Sequence, residues 1–247
     1  SSVGTGKYIR TSHVFQKTNG LNAQIVRENL KKLTDGGAQV IVASKAFGVD
    51  NFTEEELVQE EATKMGLPCT VASDITKMYG LTTRTRTAII NASILPKMLD
   101  TANSTQQSVL QTGIQVPLMM MRGDGGVMEV EEMKKRPVLT MLSGPAASVV
   151  GALMYLRASN GIYFEVGGTS TNIGVIKNGR PTVNYSIIGG HRTYISSLDV
   201  RVLGVAGGSL VRAADHRLED VGPRSAHIAG LEYAAFTPEE EIVEPVL

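Results

Sequence analysis

The sequence predicts an α/β fold. Three observations carry this: amphipathic helices alternate with short apolar strands in the first third, a long helical pattern fills the middle, and strand signals dominate after Asn160. Leu21, Ile25, Val26, Leu30 and Leu33 recur at helical spacing, and Gly36-Gly37 ends that helix. AQVIVAS (38–44) reads as a buried strand. Thr53 opens the next helix and makes a capping box with Glu56 three residues on. Gly66 and Pro68 end it, and CTVAS (69–73) is the following strand. This α-β-α-β order predicts parallel strands covered by helices.

A helical pattern then runs from about Arg84 to Gln111, and Pro96 inside it predicts a kink or break just before that residue. VPLMMMR (116–122) is a strand and GDGG (123–126) a glycine turn. Arg122-Gly123-Asp124, which spells an adhesion tripeptide, is read as part of that turn. VEEMKKR (130–136) is a short solvated helix, and Ser143-Gly144-Pro145 leads into an apolar helix over 146–156. GIYFEV, NIGVIKNGR and PTVNYSII follow as consecutive strands of an antiparallel meander, with Gly-rich or Asn-Gly turns between them. YISSLDVRVLGV is a fourth strand and ends in AGGS (206–209). A boundary is expected near residues 80–85, and the acidic tail TPEEEIVEPVL reads as a linker or a continuation into further chain.

Composition narrows the function classes. With 247 residues, 42% hydrophobic and 19% charged, the chain is that of a folded protein. Its 24 Lys and Arg balance 24 Asp and Glu, which argues against a broad nucleic-acid or anionic-membrane footprint. Cys69 is the single cysteine, so no internal disulfide forms; it reads as a core residue of a cytoplasmic protein. No apolar run reaches the roughly 18–20 residues that span a bilayer. The N-terminus has no signal-peptide h-region, and it begins with Ser1, as a processed chain or an excerpt does.

Two stretches could hold phosphate. A phosphate site needs converging backbone N–H groups with no side chain in the way, hence glycine. Gly167-Gly168 after the strand IYFEV meets that need, and Thr169, Ser170 and Thr171 add hydroxyl donors. Glu165 could hold Mg²⁺ through water or orient an attacking group. The same residues also suit an ordinary hairpin. Gly207 and Gly208, with Ser209 after them, would let a flat ligand lie on the backbone, and Ser143-Gly144 offers an anion the start of a helix. Two other signals fail. GTGK (4–7) lacks the earlier glycine and the following hydroxyl of a P-loop, and His13, His191, His216 and His227 show no zinc-type spacing.

Together, RPVLTMLSGPAASVVGA (136–152), FEVGGTSTNIGVIKNGRP (164–181), LDVRVLGVAGGSLVR (198–212) and VGPRSAH (221–227) resemble the hydantoinase A/5-oxoprolinase family. That family includes ATP-dependent hydantoinases, 5-oxoprolinases and the β subunit of acetone carboxylase. RTRTAIINASILPKML (84–99) and PLMMMRGDGGVM (117–128) match in order and spacing. The resemblance is strong over residues 84–230 and weaker before. It implies an actin/hexokinase/Hsp70-like ATPase fold of two ribonuclease-H-like domains, here partial. Residues 1–83 would be part of an N-terminal α/β domain, and 84–247 a hydantoinase A-type domain lacking its C-terminal end.

The resemblance implies ATP and Mg²⁺ as cofactors. It implies a cyclic amide substrate whose carbonyl oxygen ATP activates, and a hydantoinase B-type partner subunit. It places Gly167, Gly168, Thr169, Ser170 and Thr171 on phosphate, with Ser143, Gly144, Gly207, Gly208 and Ser209 nearby. Glu165 and Asn172 stand at the catalytic positions. Three departures matter. The family's first GGTxTD hairpin is absent; Glu165 and Asn172 replace two aspartates of D-x-G-G-T-S-T-D; and Val205-Ala206 replace smaller residues of GAGGGS. A non-catalytic nucleotide-binding or assembly subunit on the same fold is therefore the alternative, and a sugar kinase or chaperone-like ATPase a third reading. As an internal fragment, the chain alone is expected to be inactive.

Overall fold

The computed structural model describes residues 2–4, 7–157, 159–225, 227–231 and 236–241. Part of GTGK, Ala226 and the tail beyond residue 241 lie outside the described residues. In chain order the elements begin β1 (Ser2–Gly4), β2 (Lys7–Tyr8), α1 (Ala23–Asp35), β3 (Ile41–Ala43), α2 (Thr53–Lys64), β4 (Cys69–Val71) and α3 (Ala72–Ile75). The long α4 (Leu81–Gln111) follows, then β5 (Met119–Met121), β6 (Val127–Glu129), α5 (Val130–Lys135), a 3-10 turn over Pro137–Thr140 and α6 (Ser143–Leu156). Strands complete the chain: β7 (Gly161–Val166), β8 (Thr171–Lys177), β9 (Arg180–Pro181), β10 (Val183–Ile188), β11 (His191–Leu198), β12 (Val200–Leu203), β13 (Ser209–Ala214) and β14 (Arg217–Ser225).

The chain divides into two compact units, residues 1–143 with 184–197, and 144–183 with 198–247. Helix α4 begins at Leu81 and packs on the preceding strands and α3, so the first α/β layer and the long helix share one core.

In the first unit β3 and β4 are parallel, as the α-β-α-β order predicts, with Ile41 opposite Cys69 and Ala43 opposite Val71. Val26 and Leu30 of α1 meet Ile41 and Ala62 in one apolar cluster. Ala88 and Ile90 of α4 meet Ala72, Ile75, Val138 and Ile195 in another. Asn22 caps α1 by accepting from the Ile25 N–H at 3.1 Å. The expected Thr53–Glu56 capping box is absent. Thr53 is already helical, and its N–H donates to the Asn51 side chain at 3.1 Å. Pro96 lies within an uninterrupted helix, so the expected break does not occur.

Buried polar groups fix this unit's register. The Glu55 carboxylate, 2% exposed, accepts from the backbone N–H groups of Lys45 (2.7 Å) and Ser73 (3.0 Å), joining the C-terminal ends of β3 and β4. Arg84, equally enclosed, donates to the carbonyls of Lys45 and Met78. Burial pushes the Cys69 thiol up to about 12, in keeping with a core cysteine rather than a nucleophile.

In the second unit β7 and β8 form an antiparallel hairpin, but the expected meander stops there. The other edge of β8 takes β12 and the short β9, in the order β12-β8-β7, while β10 pairs with β11 in a separate sheet. Helix α6 covers one face of this sheet, through Ala146 and Val149 against Leu198, Tyr163 and Val200. It starts at Ser143 rather than Ala146, so Ser143 and Gly144 are helical residues. No helix among the described residues is long and apolar enough to cross a membrane.

Candidate functional site

The stretch FEVGGTSTNIG forms the β7–β8 hairpin, with Val166 opposite Thr171 and Glu165 opposite Asn172. The Gly167 N–H donates to the Ser170 carbonyl at 3.1 Å and closes the turn. Nothing among the described residues accepts from the N–H groups of Gly168, Thr169 or Ser170. Three consecutive amides are left open, as anion binding requires. At Gly168 a Cβ would meet nothing within 4 Å, and the backbone is not left-handed. The fold itself does not demand glycine there, whereas a ligand lying against the backbone would.

The second glycine cluster sits against this turn. Gly207 N–H donates to the Gly167 carbonyl (3.1 Å), Gly208 N–H to the Gly168 carbonyl (2.9 Å), and the Thr171 hydroxyl to the Val205 carbonyl (2.6 Å). Two turns that are 40 residues apart in sequence terms are thus zipped backbone to backbone, roughly as sheet strands pair. The Ser209 hydroxyl accepts from the Ala206 N–H at 2.8 Å and braces the second turn. Gly207, Gly208, Thr171 and Ser209 therefore brace the turn, while the N–H groups of Gly168, Thr169 and Ser170 are left open. Among the described residues no hydrogen bond ties Gly144 to the hairpin.

Glu165 and Asn172 are paired directly. Asn172 Nδ2 donates to Glu165 Oε2 at 2.8 Å, and the Tyr163 hydroxyl donates to the same oxygen at 3.2 Å. The Ser148 hydroxyl, in the second turn of α6, lies close enough to influence both Glu165 and Tyr163. Led by the Asn172 amide and then by Ser148, these donors hold the Glu165 carboxyl below the ordinary carboxylate range, against the opposing effect of burial. Burial, reinforced by Glu165, pushes the Tyr163 phenol up. Sequence reasoning named Glu165 and Asn172 but missed Tyr163 and Ser148. The period-2 alternation of a strand puts Tyr163 on the face of Glu165, so that signal was available; Ser148 carried none.

Asn172 Oδ1 is buried and accepts from nothing. Its amide nitrogen must face Glu165, since a carboxylate only accepts, so the orphaned atom is an oxygen. That oxygen beside an ionised carboxylate fits a hydrated Mg²⁺, which binds through few protein oxygens and keeps several waters. No group of three or more His, Cys, Asp or Glu able to hold a metal occurs among the described residues.

Replacing Asn172→Asp is expected to make this pair titrate together, because two carboxylates would then face each other at hydrogen-bond distance. One titration should rise well above the ordinary carboxylate range of about 4. In the present chain the lowered Glu165 pKa means its stabilising bonds act above about pH 4 and fade as pH falls through the folded value. In the variant the sign reverses: stability is retained in acid and declines as pH rises through the raised value. Carboxyl ¹³C NMR titration reads this, and two ordinary titrations in the variant would contradict the pairing.

The fold and site define a family. Residues 84–238, more than half of the chain, match the Hydantoinase/oxoprolinase family, and the chain belongs to it. It is 31% identical over 148 residues to caprolactamase subunit alpha from Pseudomonas jessenii, covering 58% of this chain and 21% of that one. The gamma subunit of acetophenone carboxylase from Aromatoleum aromaticum is 26% identical over 221 residues, covering 83% of this chain and 30% of the other. Among solved structures, nucleotide-free acetone carboxylase superposes with a TM-score of 0.66 at 24% identity, over 82% of this chain and 30% of that one. The ATP-dependent caprolactamase of Pseudomonas jessenii gives 0.67 at 24% identity, over 88% and 32%. The chain thus spans between about a fifth and a third of the length of these relatives. The two superpositions bear on fold alone.

Proposed function

We propose that the chain is the phosphate-binding portion of an ATP-dependent enzyme subunit of the hydantoinase/oxoprolinase type, acting on a cyclic amide. The observation that carries this is the row of open amides at Gly168, Thr169 and Ser170, beside a glycine whose missing Cβ the fold does not require. ATP use by the named caprolactamase supports the same reading; an actin/hexokinase/Hsp70-like arrangement, in which such a hairpin would meet phosphate, is part of the proposal.

ATP would supply the activation: the amide carbonyl oxygen would displace ADP from the γ-phosphorus as the amide nitrogen gives up its proton. One water would add to the carbon so that the C–N bond opens to an amine and an acyl phosphate, and a second water would hydrolyse that acyl phosphate to carboxylate and phosphate. The amides of residues 168–170 would meet charge on the phosphoryl oxygens, and the hydroxyls of Thr169 and Ser170 could add donors. Glu165, held ionised by Asn172, Ser148 and Tyr163, would orient water. Mg²⁺ would neutralise phosphate charge, held through water by Glu165 and Asn172 Oδ1. A hydantoinase B-type partner would supply what a portion of such an enzyme lacks.

The second reading is a non-catalytic nucleotide-binding or assembly subunit. The two donors on Glu165, from Asn172 and Tyr163, favour it, because they leave that carboxylate less free for chemistry. Converting both Glu165 and Asn172 to Asp in a full-length protein separates the two: a sharp rise in ATP-dependent amide hydrolysis would support the second reading.

The first reading is tested by calorimetric titration of this chain with MgATP and MgADP, beside Gly168→Val. The expected result is binding to the parent chain and a loss of at least about tenfold in the variant, with circular dichroism unchanged, since the valine side chain enters open space beside the amides. Equal binding by both would remove nucleotide from the hairpin.

A further inference from the structure

We propose that the first unit carries a separate ligand site, a cleft for a small organic anion with an apolar body. The cleft lies along β4 between α3, α4 and α5, with a volume of about 460 Å³. That is within the range of roughly 300–1,000 Å³ typical of small-molecule sites. Val71, Ile75, Leu95 and Leu99 give it an apolar floor. β4 pairs only with β3 among the described residues, so no strand covers this side.

The rim is cationic in a chain of zero net charge. Lys77, Lys134, Lys135 and Arg136 line it against two carboxylates, Asp74 and Glu132. Those carboxylates do not suffice. Glu132 is shared by Arg136 at 2.5 Å and Lys135 at 3.7 Å, and Asp74 holds Lys77 only at 3.6 Å. Lys134 turns to Glu131 and Gln106. Among the described residues nothing accepts from Arg136 Nε, so the guanidinium retains donor capacity. An anionic head would meet Lys135, held only loosely by Glu132, and the free Nε–H of Arg136, while a short apolar chain covers the leucines. This site shares no residue with the glycine hairpin and does not depend on nucleotide.

Hexanoate is the probe and hexan-1-ol its neutral control, followed through backbone amide NMR at low ionic strength. Hexanoate should give saturable shifts confined to Cys69–Val71 and Lys134–Arg136. Hexan-1-ol should bind at least roughly fivefold more weakly. The double variant Lys77→Met/Lys135→Met, both mostly exposed, should weaken hexanoate by a similar factor without loss of fold. Leu99→Trp, which fills the floor, should abolish the shifts. The site is overturned if hexanoate gives no localised saturable shift, if hexan-1-ol binds equally well, or if the shifts persist in Leu99→Trp.

Discussion

Asn91→Ala should unfold the first unit at markedly lower denaturant, with a loss of about 3–5 kcal/mol. Asn91 sits in α4 with no exposed surface. Its Nδ2 donates to Thr70 Oγ1 at 3.0 Å and to the Lys135 carbonyl at 3.2 Å, while its Oδ1 accepts from the Val138 N–H at 3.1 Å. One side chain therefore ties the long helix to β4, to the end of α5 and to the 3-10 turn that follows. Alanine leaves a cavity and three buried polar groups without partners. Each such group costs on the order of 1–3 kcal/mol, and full additivity would overstate the sum because the carbonyl and hydroxyl relax. A domain's whole stability is about 5–15 kcal/mol, so the effect is large. Asn91→Asp keeps the acceptor for Val138 but loses the donors, and should also destabilise at neutral pH. Urea unfolding followed by circular dichroism checks both. A midpoint for Asn91→Ala within error of the parent would show that the network contributes little.

What the sequence revealed and what it concealed divide along one physical line. Features set by neighbours in the chain were legible. The apolar spacing of Val26 and Leu30 marked α1, and the glycine pair after it marked its end. The hairpin register that joins Glu165 to Asn172 follows from counting outward from Gly167–Ser170. Features set by distant segments were not legible. PTVNYSII alternates as well as NIGVIKNGR does, and nothing local tells that β12 rather than β10 takes the free edge of β8. The capping box at Thr53 was a local pattern overridden by another, the Asn51 side chain. Nothing local in the sequence shows that α4 packs back on β3 and β4, which puts the long helix in the first unit. In the site, glycine named both clusters, but it could not show that Gly207 and Gly208 use their N–H groups on the carbonyls of Gly167 and Gly168. That pairing commits their N–H groups to holding the hairpin turn.

Gly222→Ala should cost about 3 kcal/mol and should also disturb the hairpin amides, which separates it from Asn91→Ala. Gly222 in β14 has φ +64, a left-handed conformation that costs a side chain roughly 1–2 kcal/mol. A Cβ there would lie 2.4 Å from the Gly204 carbonyl oxygen and 3.3 Å from Ser209 Oγ. The nearest atom is backbone, so no rotamer change relieves the clash, and overpacking of this kind adds about 1–3 kcal/mol. Gly204 must move, and it cannot move alone. The next residue, Val205, accepts the Thr171 hydroxyl, and Gly207 and Gly208 hold the carbonyls of the hairpin turn. A shift at Gly204 should therefore reach Gly167–Ser170 through hydrogen bonds already in place. Amide NMR is expected to show displaced resonances over 167–170 in folded Gly222→Ala, with MgATP binding weakened in proportion. Asn91→Ala should leave those resonances where they are in the folded fraction, because it weakens a different unit. If Gly222→Ala loses stability while residues 167–170 keep their shifts, the zipper between the two glycine clusters does not position the turn, and the open amides are set by the β7–β8 hairpin alone.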